Sequence, residues 1–517
     1  MITMNRRFIA RGGLQAAVAA ALLAACTVGP DFVPPKPDTP PHWSAHATAA
    51  PVLPAPPSAP RSAQQRPDTV TEQVADLRAW WKGFGDPELD SLVERAVDSN
   101  LDLRAAVLRI DEARAQRAIS AAAFWPTVSL DASYTRQRFS ETTPTGSLFN
   151  SVGSIHLPGG ASIDIPNPYN QFQLSAGATW EIDLFGRIRR SVEAADAAQQ
   201  VSVEDRRAVM VSVLADVAQS YMELRGAQAR LRVAQDNLAT INELLDLTRQ
   251  RLAAGLTTHI DVSNAIAQST VTRAELPAFE LQITQSINQL SQLLGREPGA
   301  LRSELESERP VPSPPTEVSM GLPAELARRR PDIREAEANL HAATAQIGVA
   351  VADLFPRLTL AASGGLQSET TGKLLEWASR FGSLGPTVDL PIFDRGRWKT
   401  VQLYDVRAQE AALAYRRTVL AALHEVDNAL AAYGDDQQRR AWLDATVGQN
   451  RDALALSRQR YESGVISFID VLDVERTLQQ NELSLTDSTT SVTTDLVRLY
   501  RALGGGWEDS KQAAALN

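Results

Sequence analysis

Two stretches of the chain alternate apolar residues with polar or small ones. Val128, Leu130, Ala132 and Tyr134 are separated by Ser129, Asp131 and Ser133, and Phe172, Leu174, Ala176, Ala178, Trp180 and Ile182 repeat the pattern further on. A period of two predicts strands with one apolar and one polar face. Residues 142–170 between them are rich in Gly, Pro, Ser and Asn and read as a hairpin loop. A weaker pair of runs covers 358–366 and 387–392, interrupted by Gly364, Gly365 and Pro391. The remaining periodic segments are helical. Ala, Leu and Arg recur at heptad-like spacing up to Trp125 and again up to Phe355, where Pro126 and Pro356 end the pattern. Proline-free helical stretches then run over 187–254 and 397–463. Roughly 68 residues at 1.5 Å each span about 100 Å, and helices of that length pack sideways as coiled coils or bundles. Return helices are predicted over 258–294, with Pro277 as a kink, and over 467–503.

These elements form two copies of one unit. Asn100 to Pro126 lines up with Arg330 to Pro356 at an offset of 230, pairing Asp102 with Asp332 and Arg104 with Arg334. Arg187 then aligns with Arg397, and Arg251 to Gly255 with Arg460 to Gly464 at an offset of 209. The first copy therefore carries 21 extra residues between Pro126 and Phe185, which fit most easily in the loop of its hairpin. Repeat 1 is assigned to 86–295, a linker to 296–330, repeat 2 to 331–503 and a tail to 504–517.

The N-terminus is a targeting segment. Arg6, Arg7 and Arg11 precede an apolar run from Leu14 to Ala25, too short for a stable membrane anchor, so residues 1–25 read as a signal peptide. The run ends Leu23-Ala24-Ala25-Cys26, with small residues before the only thiol, and resembles the bacterial lipoprotein cleavage box. Two readings are open: diacylglycerol transfer to Cys26, or an ordinary cleavage site beside a spare cysteine. Thr27 at the next position looks like an outer-membrane address. Residues 26–85 are read as a lipidated, extended strap, because the segment from Val28 to about Pro67 is Pro/Ala-rich with few large apolar residues.

Composition narrows the function. Of 517 residues, 51 are basic and 61 acidic, a net charge of −10 with no dense basic run, which excludes a broad phosphate-binding surface and nucleic acid as a partner. One cysteine excludes a disulfide framework, and the six histidines show no metal-ligand spacing, so no metal or other cofactor is expected apart from lipid on Cys26. No GxSxG elbow or Walker loop is present, and Gly365 to Lys373 misses the phosphate-loop spacing, so the chain does not read as an enzyme.

Four strands with one apolar face cannot close a barrel, and an open sheet edge cannot sit in lipid. Chains must pool their strands or the sheet must be covered; pooling three chains gives twelve strands, although the arithmetic also admits two or four. The Leu-Ala-Ala-Cys box, the opening Cys26-Thr-Val-Gly-Pro-Asp31 and the tandem units of helix, strand pair and long helix resemble the TolC-like outer-membrane factors, specifically the NodT-type efflux lipoproteins. The resemblance covers nearly all of the mature chain. It implies a mainly α chain with a transmembrane β-barrel contribution: a homotrimer forming a 12-stranded barrel plus a periplasmic α-helical barrel. The implied location is the outer membrane, lipid-anchored and extending into the periplasm. The implied partners are a periplasmic adaptor and an inner-membrane pump, usually proton-driven, which supplies the energy for a small-molecule exit duct.

Candidate functional residues gather at the far ends of the long helices. Gly255 and Gly464 stop them at equivalent positions, and with Leu256 and Val465 they match the family's adaptor-docking tips; plain helix caps are the alternative. Thr258 with Asp261 and Ser467 with Asp470 have capping-box spacing. Asp473, one turn beyond Asp470, has Asn264 as its counterpart and is not explained by capping. By resemblance Asp470 and Asp473 belong to a periplasmic constriction, with Ile469, Tyr461 and Asp261 as neighbouring gate residues. Three converging carboxylates would repel one another and favour cations; a solvated helix-surface acid is the rival reading. The family's basic residue two places after the second glycine is replaced by Ile466, which puts an ion-pair lock there in doubt. Two alternatives stand beside the efflux duct: a lipid-anchored periplasmic coiled-coil scaffold without channel activity, and a duct for metal or protein export.

Overall fold

A computed structural model describes residues 27–36, 39–44, 69–71, 77–144, 147, 167–315 and 317–508. In chain order the elements are β1 (Thr69–Thr71), α1 (Pro87–Ser99), α2 (Leu101–Ala122), β2 (Thr127–Gln137), β3 (Tyr169–Ile182), α3 (Arg187–Ala253), α4 (His259–Leu293), α5 (Arg302–Leu305), β4 (Glu317–Ser319), α6 (Pro323–Arg329), α7 (Pro331–Ala352), β5 (Arg357–Ser368), β6 (Arg380–Asp389), α8 (Arg395–Glu462) and α9 (Phe468–Ala502), with three short 3₁₀ turns. The chain divides into two compact units: 1–33, 113–199 and 340–411 form the first; 34–112, 200–339 and 412–517 form the second. Among the described residues no helix is long and apolar enough to cross a membrane.

The first unit is built on an antiparallel sheet ordered β2-β3-β5-β6. Its register sets Val128 opposite Ala178, Leu130 opposite Ala176, Ala132 opposite Leu174 and Tyr134 opposite Phe172. Next, Leu366, Ala362, Leu360 and Leu358 face Leu174, Ala178, Trp180 and Ile182, and Leu384 and Val388 continue the row on β6. Because side chains alternate strictly along a strand, this register gathers most apolar residues of the four strands on one face, Phe381 being an exception opposite Gly365. Ser129, Asp131, Gln173, Ser175, Ser363 and Ser383 fall on the other, where the Ser363 and Ser383 hydroxyls meet at 2.7 Å. Among the described residues nothing covers the apolar face: Leu130 and Leu384 are each 75% exposed. Both outer strands, β2 and β6, leave an edge unpaired within the chain.

The last strand corrects the expectation. It covers Arg380–Asp389 instead of 387–392, and Ile392 lies outside it. Pairing with β5 fixes this register, setting Leu360 against Pro386. A proline is tolerated because β6 is an edge strand. The extra length of the first repeat lies between Gln137 and Tyr169, in a loop of which residues 145–146 and 148–166 fall outside the described residues.

Where β3 passes into α3, the chain is fastened by charge. Arg187 donates two bonds to Glu181, at 2.8 and 2.7 Å, and Arg189 pairs with Asp183. In the second repeat Arg397 pairs with Asp394 and donates to the Asp353 carbonyl. The Phe185 and Phe355 rings stack at 4.8 Å. The aligned Arg187 and Arg397 thus secure equivalent strand-to-helix turns.

The second unit is mainly helical and includes the β1–β4 pair. Asp86 caps α1 by accepting from the Glu88 and Leu89 N–H groups, and Asn100 accepts from Asp102 and Leu103 at the start of α2. The main core joins Leu89, Leu92 and Val93 of α1, Leu214, Val217 and Tyr221 of α3, Leu290 of α4, Val426 of α8 and Leu496 of α9. Arg225, fully buried, pairs with Glu88 at 2.8 Å, and Arg309 reaches the same carboxylate at 2.7 Å. The segment 296–330 read as a linker carries α5, β4 and α6, and α4 continues through Pro277 as one helix.

The segment read as a strap does more than run extended. The Trp43 side chain is buried, with its indole N–H bonded to the Gly321 carbonyl at 3.0 Å; β1 pairs in parallel with β4; and Leu77, Trp80, Trp81 and Phe84 enter the main core. Its first residues are held in the sheet-bearing unit. Arg190 donates to the Val28 and Gly29 carbonyls and to Asp31 at 2.6 Å, the Phe32 ring stacks on His341 at 4.4 Å, and Gly29 passes so close to Gly348 that a Cβ on it would lie 2.5 Å from the Gly348 Cα.

Candidate functional site

The ends of α3, α4, α8 and α9 form a second, smaller core made of Ile241, Leu244, Leu245, Ala265, Val447, Leu454, Tyr461, Phe468, Val471, Leu472 and Leu478. Two helical hairpins, α3–α4 and α8–α9, turn here. Their turns are the same motif. Gly255 (φ +72°) donates to the Leu252 carbonyl while Leu256 donates back to Arg251; Gly464 (φ +73°) donates to Tyr461 while Val465 donates to Arg460. These bonds satisfy carbonyls that the helix end leaves free, and the left-handed backbone they require favours glycine. Leu256 and Val465 are 65% and 69% exposed, so each turn presents an apolar side chain to its surroundings.

The return helices start with full capping boxes. The Asp261 carboxylate accepts from Thr257 Oγ1, Thr258 Oγ1 and the Thr258 N–H at 2.7, 2.8 and 3.0 Å. Asp470 accepts from Ser467 Oγ at 2.6 Å and from its N–H at 2.8 Å. Partial burial works to raise the Asp261 pKa, but the threonine bonds outweigh it and hold the group below the usual carboxylate value. The Ser467 bonds likewise depress Asp470. Both acids are committed to their helix ends.

Asp473 is different. It is exposed on α9 one turn beyond Ile469, which is also exposed, and among the described residues its carboxylate makes no hydrogen bond or ion pair. Tyr461 does not join that face. It is 2% exposed, packed edge-on against Phe468 with ring centroids 5.9 Å apart, so within the chain it is a core residue of the hairpin ends. The structure thus brings Ile469 and Asp473 onto one outward stripe, gives Asp261 and Asp470 to capping, and takes Tyr461 inside. Cys26 lies outside the described residues.

Three features of this region were not anticipated. Arg251, at the end of α3, lies over Tyr461 with its Cζ 4.5 Å from the ring centroid and donates to the Glu462 carbonyl at 2.9 Å, so the first hairpin holds the end of the second. Gln268 of α4 bonds to Gln479 and accepts from Arg476 of α9 at 2.7 Å, while Gln479 donates to Thr272, forming a buried polar contact between the return helices. Glu475 is buried among the apolar residues of α9. For Glu475 a signal exists in the sequence: it occupies the stripe of Phe468, Val471, Leu472 and Leu478 at helical spacing. For Arg251 there is none, since its partners Tyr461 and Glu462 lie on the other hairpin. Among the described residues no cluster of His, Cys, Asp and Glu could hold a metal ion.

A family model described as outer membrane efflux protein matches residues 92–296 and 322–505. The outer membrane protein OprJ of Pseudomonas aeruginosa is 33% identical over 96% of this chain and 97% of its own length. Nodulation protein T of Rhizobium leguminosarum bv. viciae is 31% identical over 97% and 95%. Among solved structures, the outer-membrane channel OprN superposes with a TM-score of 0.80 at 32% identity, covering 93% of this chain and all of that one. The open state of the MtrE outer-membrane channel of Neisseria gonorrhoeae gives 0.74 at 28% identity, covering 93% and 99%.

Proposed function

The chain belongs to the outer membrane efflux protein family and is an outer-membrane channel protein, not an enzyme; from that premise we propose that it is the exit duct of a tripartite system exporting small toxic molecules. The observation that carries this reading is the sheet: four antiparallel strands with one continuous apolar face, a polar face and two open edges. A trimer closes those edges into a 12-stranded barrel, apolar side to lipid and polar side to the lumen. The long helical hairpins extend the passage into the periplasm. The turns at Gly255 and Gly464, with Leu256 and Val465 exposed, receive a periplasmic adaptor that links the duct to an inner-membrane, proton-driven pump. Ile469 and Asp473 line the periplasmic constriction, where three copies of Asp473 form a ring that selects for cations.

Lipid on Cys26 anchors the mature chain. Support comes from the residues that follow it: the Val28 N–H bonds to the Phe185 carbonyl, and Thr27 lies against Gly186, between the end of β3 and the start of α3. A lipid one residue earlier enters the membrane beside the barrel rim.

The test is single-channel conductance of the purified oligomer in planar bilayers, comparing wild type with Asp473→Ala. Small, cation-preferring openings in wild type and larger or less selective ones in the variant are expected. Protein that conducts nothing and stays soluble without detergent would overturn the duct in favour of a lipid-anchored scaffold.

A further inference from the structure

Resting on the reading of the chain as a channel gated at its hairpin ends, we propose that Glu475 is a proton-sensitive latch on that gate. Its neutral carboxyl lets α9 pack against α8, and its ionisation releases the two helices.

The geometry is that of an acid placed where a hydrophobe belongs. Glu475 is 2% exposed, its own helix surrounds it with Val471, Leu472 and Leu478, and α8 contributes Leu454 and Tyr461 to the same core. Its Oε2 is buried with no hydrogen-bond partner. From α8 the facing charge is Arg458, whose Nε is also buried without a partner and whose Nη atoms turn to α3, towards the Thr240 carbonyl at 3.4 Å and Glu243 at 4.0 Å. On α9 itself Glu482 adds a like charge, and it is tied to Arg451 of α8 at 2.8 Å. From α4, Gln268 and Thr272 are engaged with Arg476 and Gln479. Among the described residues the cation facing Glu475 is Arg458, divided between it and α3, and no hydrogen bond reaches the Glu475 Oε2.

A buried carboxylate without a dedicated partner favours its neutral form. Burial first, with Glu482 adding to it and Arg458 opposing, pushes the Glu475 pKa up to about 7. The packed hairpin thus holds a proton that an opened, hydrated one gives up near the ordinary carboxylate value of 4.5. Packing is favoured fully below that value and loses its advantage progressively as pH rises to about 7. The aligned position of the first hairpin is Ile266, so only α8–α9 carries the device. Asp473 lies two residues away on the exposed side of the same helix, which puts the latch directly behind the charge that faces the pore.

The experiment records open probability and conductance of the full-length trimer at pH 5, 6, 7 and 7.5 for wild type, Glu475→Gln and Asp473→Asn. Wild type should open at least several-fold more at pH 7.5 than at pH 5, Glu475→Gln should stay at the low-pH level throughout, and Asp473→Asn should keep the pH dependence while losing cation preference. A Glu475→Gln channel that follows the wild-type pH profile overturns the proposal. Amide exchange of 454–478 in the detergent-solubilised trimer, corrected for intrinsic rates, gives a second reading. Wild type should lose protection between pH 5 and 7.5 and Glu475→Gln should not; equal loss in both overturns the latch. Absence of conductance in every protein, with the exchange difference present, overturns the duct and leaves the proton-coupled packing standing.

Discussion

The Arg251 guanidinium lies 4.5 Å above the centre of the Tyr461 ring, binding the end of one repeat's long helix to the end of the other's. Its Nη1 also donates to the Glu462 carbonyl, one of the acceptors that the end of α8 leaves open. Two places after the second glycine stands the uncharged Ile466. Arg251 supplies a cation to the same turn from the other hairpin. A double-mutant cycle of Arg251→Ala and Tyr461→Leu should give a coupling of about 1 kcal/mol in unfolding experiments. Arg251→Ala channels should also open more often in bilayers. Strictly additive effects on stability would show that the contact carries no coupling.

The three aspartates at the hairpin ends should separate by function. Asp470→Asn should lower thermal stability and leave ion selectivity unchanged, because its carboxylate serves Ser467. Asp473→Asn should do the reverse. The capping acids also set an acid limit. Asp261 and Asp470 are held below the ordinary 3.8, so their contribution is present above that pH and is lost as pH falls below it through the depressed values. Exchange at 256–264 and 465–473 should therefore rise on acidification below about pH 4, in the opposite direction to the change expected at Glu475. A selectivity change in Asp470→Asn would move that residue from cap to pore.

Glycine substitutions should report two distinct constraints. Gly255→Ala and Gly464→Ala meet no steric obstacle from side chains nearer than 3.8 Å, so their cost is the left-handed backbone, about 1–2 kcal/mol each. Gly226 has an ordinary helical backbone, but a Cβ there would lie 2.5 Å from Thr490 Oγ1 and 2.6 Å from its Cγ2. Gly226→Ala should cost about 1–3 kcal/mol by forcing α3 from α9, and Thr490→Ser should recover part of it. Denaturant midpoints measure both, and a neutral Gly226→Ala would mean that the helices separate freely at that crossing.

Arg190 holds residues 28–31 through Val28, Gly29 and Asp31, with Glu193 bracing it at 2.8 Å. Arg190→Ala should expose residues 27–36 to limited proteolysis while the helix content measured by circular dichroism is retained. Gly348→Ala should do the same, since its Cβ would lie 2.8 Å from the Arg190 side chain. Unchanged proteolysis in both variants would show that this segment is held elsewhere.

The parts of this fold legible in the sequence are those written in periodic patterns. Val128 to Tyr134 and Phe172 to Ile182 announce their faces because every second residue repeats, and Gly255 and Gly464 announce the helix ends because only a left-handed residue completes the turn. Strand β6 carries little local signal, because Gly382, Gly385 and Pro386 dilute its alternation; pairing with β5, not local preference, sets its bounds. Trp43 could not be read as core, since a lone aromatic in a Pro/Ala-rich run has no periodicity to show what it meets. The site divides similarly. The capping boxes and the unexplained Asp473 were visible as spacing, whereas the burial of Tyr461 and the reach of Arg251 depend on how two hairpins more than 200 residues apart in sequence pack together.

The open edges of β2 and β6 also impose an order on biogenesis. Helices satisfy their own backbone and can form in water, but these strands cannot remain there safely: each edge offers a row of unpaired N–H and C=O groups beside an uncovered apolar face, a template for indiscriminate polymerisation. A chain whose helical part folds first therefore leaves its strands unpaired until strands of neighbouring copies are at hand. Ring closure is then the step that removes both strand edges at once.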